Sequence, residues 1–148
     1  MSHWIAGKIK AQCSLAELQR ALARIRPDWA QHIKSDPSGK LNMRNGFTGE
    51  TKSGFNLVIP SGSAPDLRYA DIGMKFNHGT NEWEFFVDPM GLPSELKNFE
   101  GTVLQQVKRQ QALSLAEQEG INVSETKSGG QIRIKMMIPV TEAYRLRI

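Results

Sequence analysis

This chain of 148 residues predicts an α+β fold, a mainly antiparallel sheet with two helices packed on one face. Three observations lead there. Two segments repeat apolar residues at three- and four-residue spacing, as a helix with one buried face does. Several others alternate apolar and polar residues with period two, as half-buried strands do. The helices do not alternate one-for-one with strands, so a parallel sheet built on crossover helices does not fit. The expected order is β-α-β-β-β-β-α-β-β. Residues 1–138 read as a single domain and 139–148 as a C-terminal tail.

Ile5 to Gln12 alternates loosely and reads as the first strand. Ser14-Leu15-Ala16-Glu17 is a capping box, in which the Ser side chain accepts a backbone N–H and the Glu reaches back. Leu15, Leu18, Leu22 and Ile25 then mark one apolar helix face, and Pro27 ends the helix. Gln31 to Arg44 is polar, with the turn cluster Asp36-Pro37-Ser38-Gly39, and is expected to be an exposed loop. Asn45 to Gly49 is a second turn region.

Phe55 to Ile59 is a strand stopped by Pro60. Leu67 to Phe76 carries Ala70, Ile72, Met74 and Phe76 on one face. It turns at His78-Gly79-Thr80-Asn81 into Glu82 to Asp88, where Trp83, Phe85 and Val87 alternate with Glu84 and Phe86. Ser94 is the expected cap of a second helix over Leu96 to Glu119, with Leu96, Phe99, Val103 and Val107 on its buried face and Gly120 as its stop. A closing hairpin runs from Ile121 to Thr126 and from Gln131 to Ile138.

With 39% hydrophobic and 23% charged residues the composition is that of a globular chain, not a disordered one. A single cysteine, Cys13, excludes an internal disulfide. No apolar stretch approaches the ~18 residues that span a bilayer, and the N-terminus has no secretory pattern, so an intracellular, cytoplasmic protein without membrane contact is expected. The net charge of +4 is spread along the chain. Its densest basic stretch holds Arg133, Lys135, Arg145 and Arg147. These four are either a solvated surface or a track for a phosphate backbone.

The search for chemistry is mostly negative. The chain has no Gly-rich phosphate loop and no paired-cysteine metal spacing. His3, His32 and His78 fall in three separate segments and read as surface or capping residues. Asp71 and Asp88 could form a carboxylate pair, but as strand-end residues they are expected to accept backbone N–H groups. Cys13 precedes a helix, where a thiol can be activated, yet it reads better as a small core residue. Trp83 and Trp29 are expected in the core. Trp4 is open between packing and base stacking.

Several segments, taken in order, resemble a known family. Met1-Ser2-His3 with Lys8-Ile9-Lys10, Asn45-Gly46-Phe47-Thr48-Gly49-Glu50-Thr51, Leu57-Val58-Ile59, Tyr69-Ala70-Asp71-Ile72-Gly73 and Trp83-Glu84-Phe85-Phe86-Val87-Asp88 are similar to segments of the domain of unknown function 1257 family. Glu119 to Val123 and Gly130 to Ile134 resemble that family's closing hairpin. The resemblance runs from Met1 to about Met136, while Gln111-Ala112-Leu113 stands where the family has Tyr-Ala-Tyr. It implies a bacterial, plastid or phage setting and association with an ATPase of the AAA type. It assigns no activity and no cofactor.

The reading of function is therefore a non-enzymatic accessory or adaptor domain that binds a protein partner and needs no cofactor or metal. The alternative is a nucleic-acid-binding module using Arg133, Lys135, Arg145 and Arg147. An enzyme centred on Cys13 or the histidines would require a cleft joining them.

Overall fold

The computed structural model describes residues 4–10 and 12–120, and the backbone of 122–128 and 131–137. In chain order the elements are β1 (Ile5–Ile9), α1 (Leu15–Ile25), β2 (Lys34–Ser35), β3 (Leu41–Arg44), β4 (Thr51–Phe55), β5 (Leu57–Ile59), β6 (Ile72–Asn77), β7 (Glu82–Val87), α2 (Phe99–Gln118), β8 (Asn122–Ser128) and β9 (Gln131–Met137). Short 3-10 turns occupy Pro27–Trp29, Pro89–Gly91 and Ser94–Leu96. The tail 139–148 and His3 lie outside the described residues.

The period-two pattern builds a five-stranded antiparallel sheet in the order β1-β7-β6-β5-β2. Trp83 sits opposite Ile9 on one side and Phe76 on the other, and Phe85 sits opposite Gly7 and Met74. Every second residue thus faces the helices. Ile9, Leu57, Ile59, Ile72, Met74, Trp83, Phe85 and Val87 form one core with Leu18, Ala21 and Leu22 of α1 and Phe99, Val103 and Val107 of α2. Each fully buried aliphatic or aromatic side chain there contributes roughly 1.5–3 kcal/mol.

The opposite face of the sheet is covered as well. β3 and β4 pair with each other as a two-stranded sheet. Met43 and Phe55 from that pair close over Val58, with Trp4, Leu41 and Phe86 packed around them. Gly73 lies under the lid. A Cβ at this position would strike Met43 Sδ and the Phe55 ring, so the missing side chain is what lets the two layers meet.

The first helix forms as its sequence predicts. Ser14 Oγ accepts from Glu17 N at 3.1 Å and Glu17 Oε1 accepts from Ser14 N at 3.3 Å. Gln111 Nε2 of α2 donates to Glu17 Oε2 at 3.1 Å, which tacks the two helices together. That bond, ahead of those from Ser14, holds the Glu17 carboxyl below its ordinary range. Arg26 caps the end of α1. Its guanidinium forks to Asp28 and Asp66 at 2.7–2.9 Å and lies 5.0 Å from the Trp29 ring centroid.

Three expectations need correction. The segment 31–44 is not simply an exposed loop: it contains β2 and β3, and Met43 is buried. Six strands rather than four therefore separate the helices. The second helix is capped by Asn98, not Ser94, because Ser94–Leu96 forms a 3-10 turn and Asn98 Oδ1 accepts from Gly101 N. The closing hairpin is present. Among the described residues it pairs only with itself, and it lies against α2. No helix among the described residues is long and apolar enough to cross a membrane.

Candidate functional site

The residues with chemical potential are distributed, and most have structural tasks. Asp71 Oδ2 accepts from Arg44 N at 2.9 Å and Oδ1 from Ser61 N at 2.8 Å, so this carboxylate ties three segments together. Asp88 is buried and caps the turn Pro89–Gly91 by accepting from Met90 N. Cys13 is half-buried against the main core, and its thiol is pushed up from 9.0 to about 11, first by burial and then by the Glu17 carboxylate. A thiol at that value stays protonated at neutral pH and is a poor nucleophile.

His32 and His78 are exposed, the latter edge-on to Phe76. Among the described residues no group of three or more His, Cys, Asp or Glu side chains is placed to hold a metal ion. Trp83 and Trp29 are core residues, as expected. Trp4 is half-buried in the second core and donates from Nε1 to the Asp71 carbonyl at 2.9 Å. On β9, Arg133 stands opposite Thr126 and Lys135 opposite Ser124 in the backbone register. Arg145 and Arg147 lie outside the described residues.

A different group stands out. Of the large apolar side chains, Phe47 is 63% exposed, Met90 55% and Tyr69 38%. They come from three loops that are locked together by backbone bonds. Gly46 N donates to the Tyr69 carbonyl, Asn45 bridges Ala70, and Arg68 N donates to the Gly91 carbonyl at 3.0 Å. The turn that carries Phe47 is fixed by Asn45, whose Oδ1 accepts from Phe47 N and Thr48 N. The rings of Phe47 and Tyr69 meet edge-on at 5.8 Å, and the Arg68 guanidinium lies 5.5 Å from the Tyr69 centroid.

The backbone under this group is under tension. Tyr69 has φ of 71°, the left-handed region, which costs a bulky residue roughly 1–2 kcal/mol. Gly91 is buried so tightly that a Cβ would fall on the Arg68 carbonyl oxygen. Beside Tyr69 a recess of about 560 Å³ opens, walled by Ser61, Ser63, Ala64, Leu67, Arg68 and Tyr69. A second cavity of about 550 Å³ lies along the seam of α1 and α2, with Arg20 and Arg24 on its wall. Several polar groups of that seam are engaged, while Gln110 Oε1 is buried without a hydrogen-bond partner among the described residues. Gln110 Nε2 bonds the Glu17 carbonyl, and Gln111 bonds both the Gln12 carbonyl and Glu17.

Sequence reasoning missed the exposed group. Phe47 reads as part of a turn and Tyr69 as part of an extended run from Leu67 to Phe76, but the strand begins only at Ile72 and leaves Tyr69 in a loop. The available signal was an aromatic residue inside a Gly- and Asn-rich turn, where it has no strand face to fill. The fold and this surface define the chain as an α+β domain with an aromatic loop face. Comparison with family models, curated proteins and solved structures gave no match.

Proposed function

We propose that this chain is a non-enzymatic accessory or adaptor domain that binds a protein partner through the face formed by Phe47, Tyr69, Arg68 and Met90. The observation that carries the proposal is three large apolar side chains held out in solvent on loops rigidly bonded to one another, one of them on a strained backbone. Aromatic residues, Met and Arg are the types enriched at protein interfaces. Backbone strain is kept where function uses the resulting geometry. The carboxylates and the thiol that could serve catalysis are instead occupied in holding backbone groups or sit protonated in the core.

The two segments that carry much of the family resemblance, 45–51 and 69–73, are the ones that meet at this face. Through that resemblance an AAA-type ATPase is the first partner to try, and a cytoplasmic setting goes with it. The test is a photo-crosslinking residue placed at position 47 of the full chain in its native host, with a second placed at Arg24 on α1 as a control. Crosslinking to a discrete protein from position 47 and not from 24 is expected. No adduct from position 47 rejects the face as a docking surface.

A further inference from the structure

The charges around the exposed face are unevenly committed. The carboxylates of Glu50, Asp66, Asp71 and Asp88, on the segments that carry this face, have partners inside the fold. Asp66 is held by Arg26, both oxygens of Asp71 accept backbone N–H groups, Asp88 caps a turn from a buried position, and Glu50 lies 3.4 Å from Lys52. The cations are different. Arg44 and Arg68 are exposed and make no ion pair among the described residues. Lys97, on the Met90 side, has only the Pro89 carbonyl among the described residues. The backbone of Arg44 is pinned through its N–H to Asp71 and that of Arg68 through its N–H to Gly91, so both side chains spring from fixed backbone, Arg68 over the Tyr69 ring and Arg44 next to Asn45, which holds the turn of Phe47.

Resting on the docking surface proposed above, we propose that its ligand is an acidic peptide segment of the partner that carries one large apolar residue. The apolar residue occupies the open recess between Ser61, Pro65 and the Tyr69 ring, and neighbouring carboxylates engage Arg68 and Arg44. Arg gives planar, bidentate recognition of a carboxylate, and the Tyr69 ring, 5.5 Å from the Arg68 guanidinium, favours a cation at this place. A peptide fits better than a nucleic-acid strand. A strand brings one charge per nucleotide and needs a continuous basic path with a row of stacking rings, whereas here two guanidinium groups flank a short apolar face.

The test uses the purified full chain and an array of immobilised eight-residue peptides. Each peptide holds a central Leu, Phe or Ala, flanked by Glu, by Gln or by Lys. A fluorescent 20-mer of deoxythymidine is titrated in parallel. Glu-flanked Phe or Leu peptides are expected to bind best, with Arg68→Glu and Phe47→Ala each weakening them about tenfold or more. Arg24→Glu, the same change of charge on the exposed side of α1, should leave them unaltered. Thermal melts of the variants show that each is folded. Equal binding of Glu- and Gln-flanked peptides overturns the acidic ligand while leaving the docking face intact. Loss of binding in Arg24→Glu equal to that in Arg68→Glu also overturns it, since net charge alone would then explain the result. Binding of the 20-mer that Phe47→Ala abolishes assigns the face to nucleic acid instead.

Discussion

The indole Nε1 of Trp83 donates to the carbonyl of Cys13 at 3.0 Å, joining the centre of the sheet to the residue that precedes α1. Burial in the core beside this bond, and then the Glu17 carboxylate, push the half-buried Cys13 thiol up to about 11, while Trp83 itself acts in the opposite sense. At pH 8 a rise from 9.0 to about 11 lowers the thiolate fraction about 100-fold, and the greater intrinsic nucleophilicity of a more basic thiolate restores about tenfold. Native Cys13 should therefore react with iodoacetamide about tenfold more slowly than the urea-unfolded chain. The folded state favours the protonated thiol, so its contribution is complete below pH 9 and is lost as pH rises from 9 toward 11. Equal native and unfolded alkylation rates would contradict this placement.

Arg26 predicts an acid limb. Its hydrogen bonds hold the carboxyls of Asp28 and Asp66 below their ordinary values. Stability from these contacts is present above the unfolded carboxylate range, near pH 4, and is lost as pH falls through the lowered folded values. The pairs are half-exposed, so solvent screens them and the effect is modest. Arg26→Ala should lower the melting temperature at pH 7, with a difference from the wild type that shrinks toward pH 2. A constant difference across that range would mean that stacking on Trp29, rather than charge, carries the effect.

Gly91→Ala should be disproportionately costly. The new Cβ meets the Arg68 carbonyl oxygen, a backbone atom that cannot swing aside as a side chain does. Overpacking of this kind costs about 1–3 kcal/mol. A urea titration followed by tryptophan fluorescence should show a lower midpoint. An unchanged midpoint would show that the loop of Arg68 and the Pro89–Gly91 turn can part freely.

Tyr69→Gly separates stability from binding. Glycine removes the left-handed penalty of roughly 1–2 kcal/mol. Losing the edge-on contact with Phe47 costs about 0.5–1.5 kcal/mol. The two nearly cancel, so the urea midpoint should move little, while crosslinking from position 47 should fall severalfold. A large drop in midpoint would mean that the Tyr69 ring is needed for folding and is not held out for a partner.

The sequence revealed structure where the determining interactions are local. Ser14 and Glu17 are three residues apart, and their capping box is present as read. The alternation from Trp83 to Val87 reports which face is buried without reference to any other segment. β2 and β3 were hidden because Lys34, Ser35, Asn42 and Arg44 are polar and exposed, and only pairing with β5 and β4 makes these segments strands. Asn98 was passed over for Ser94 because the intervening 3-10 turn has the same local chemistry as a helix start. The exposed face was illegible for a different reason. Phe47, Tyr69 and Met90 lie far apart in the chain, and nothing in their spacing distinguishes an aromatic residue held in solvent from one in the core.

β1 pairs only with β7 and forms one margin of the large sheet, while at the other margin β2 is two residues long. The longer margin carries exposed Lys8 and Lys10, and the shorter one offers almost no template. Lysines on a free strand and very short terminal strands both discourage one sheet from extending into another. The two margins of the large sheet thus disfavour joining one molecule's sheet to another's, so that pairing through them competes little with whatever meets the loops.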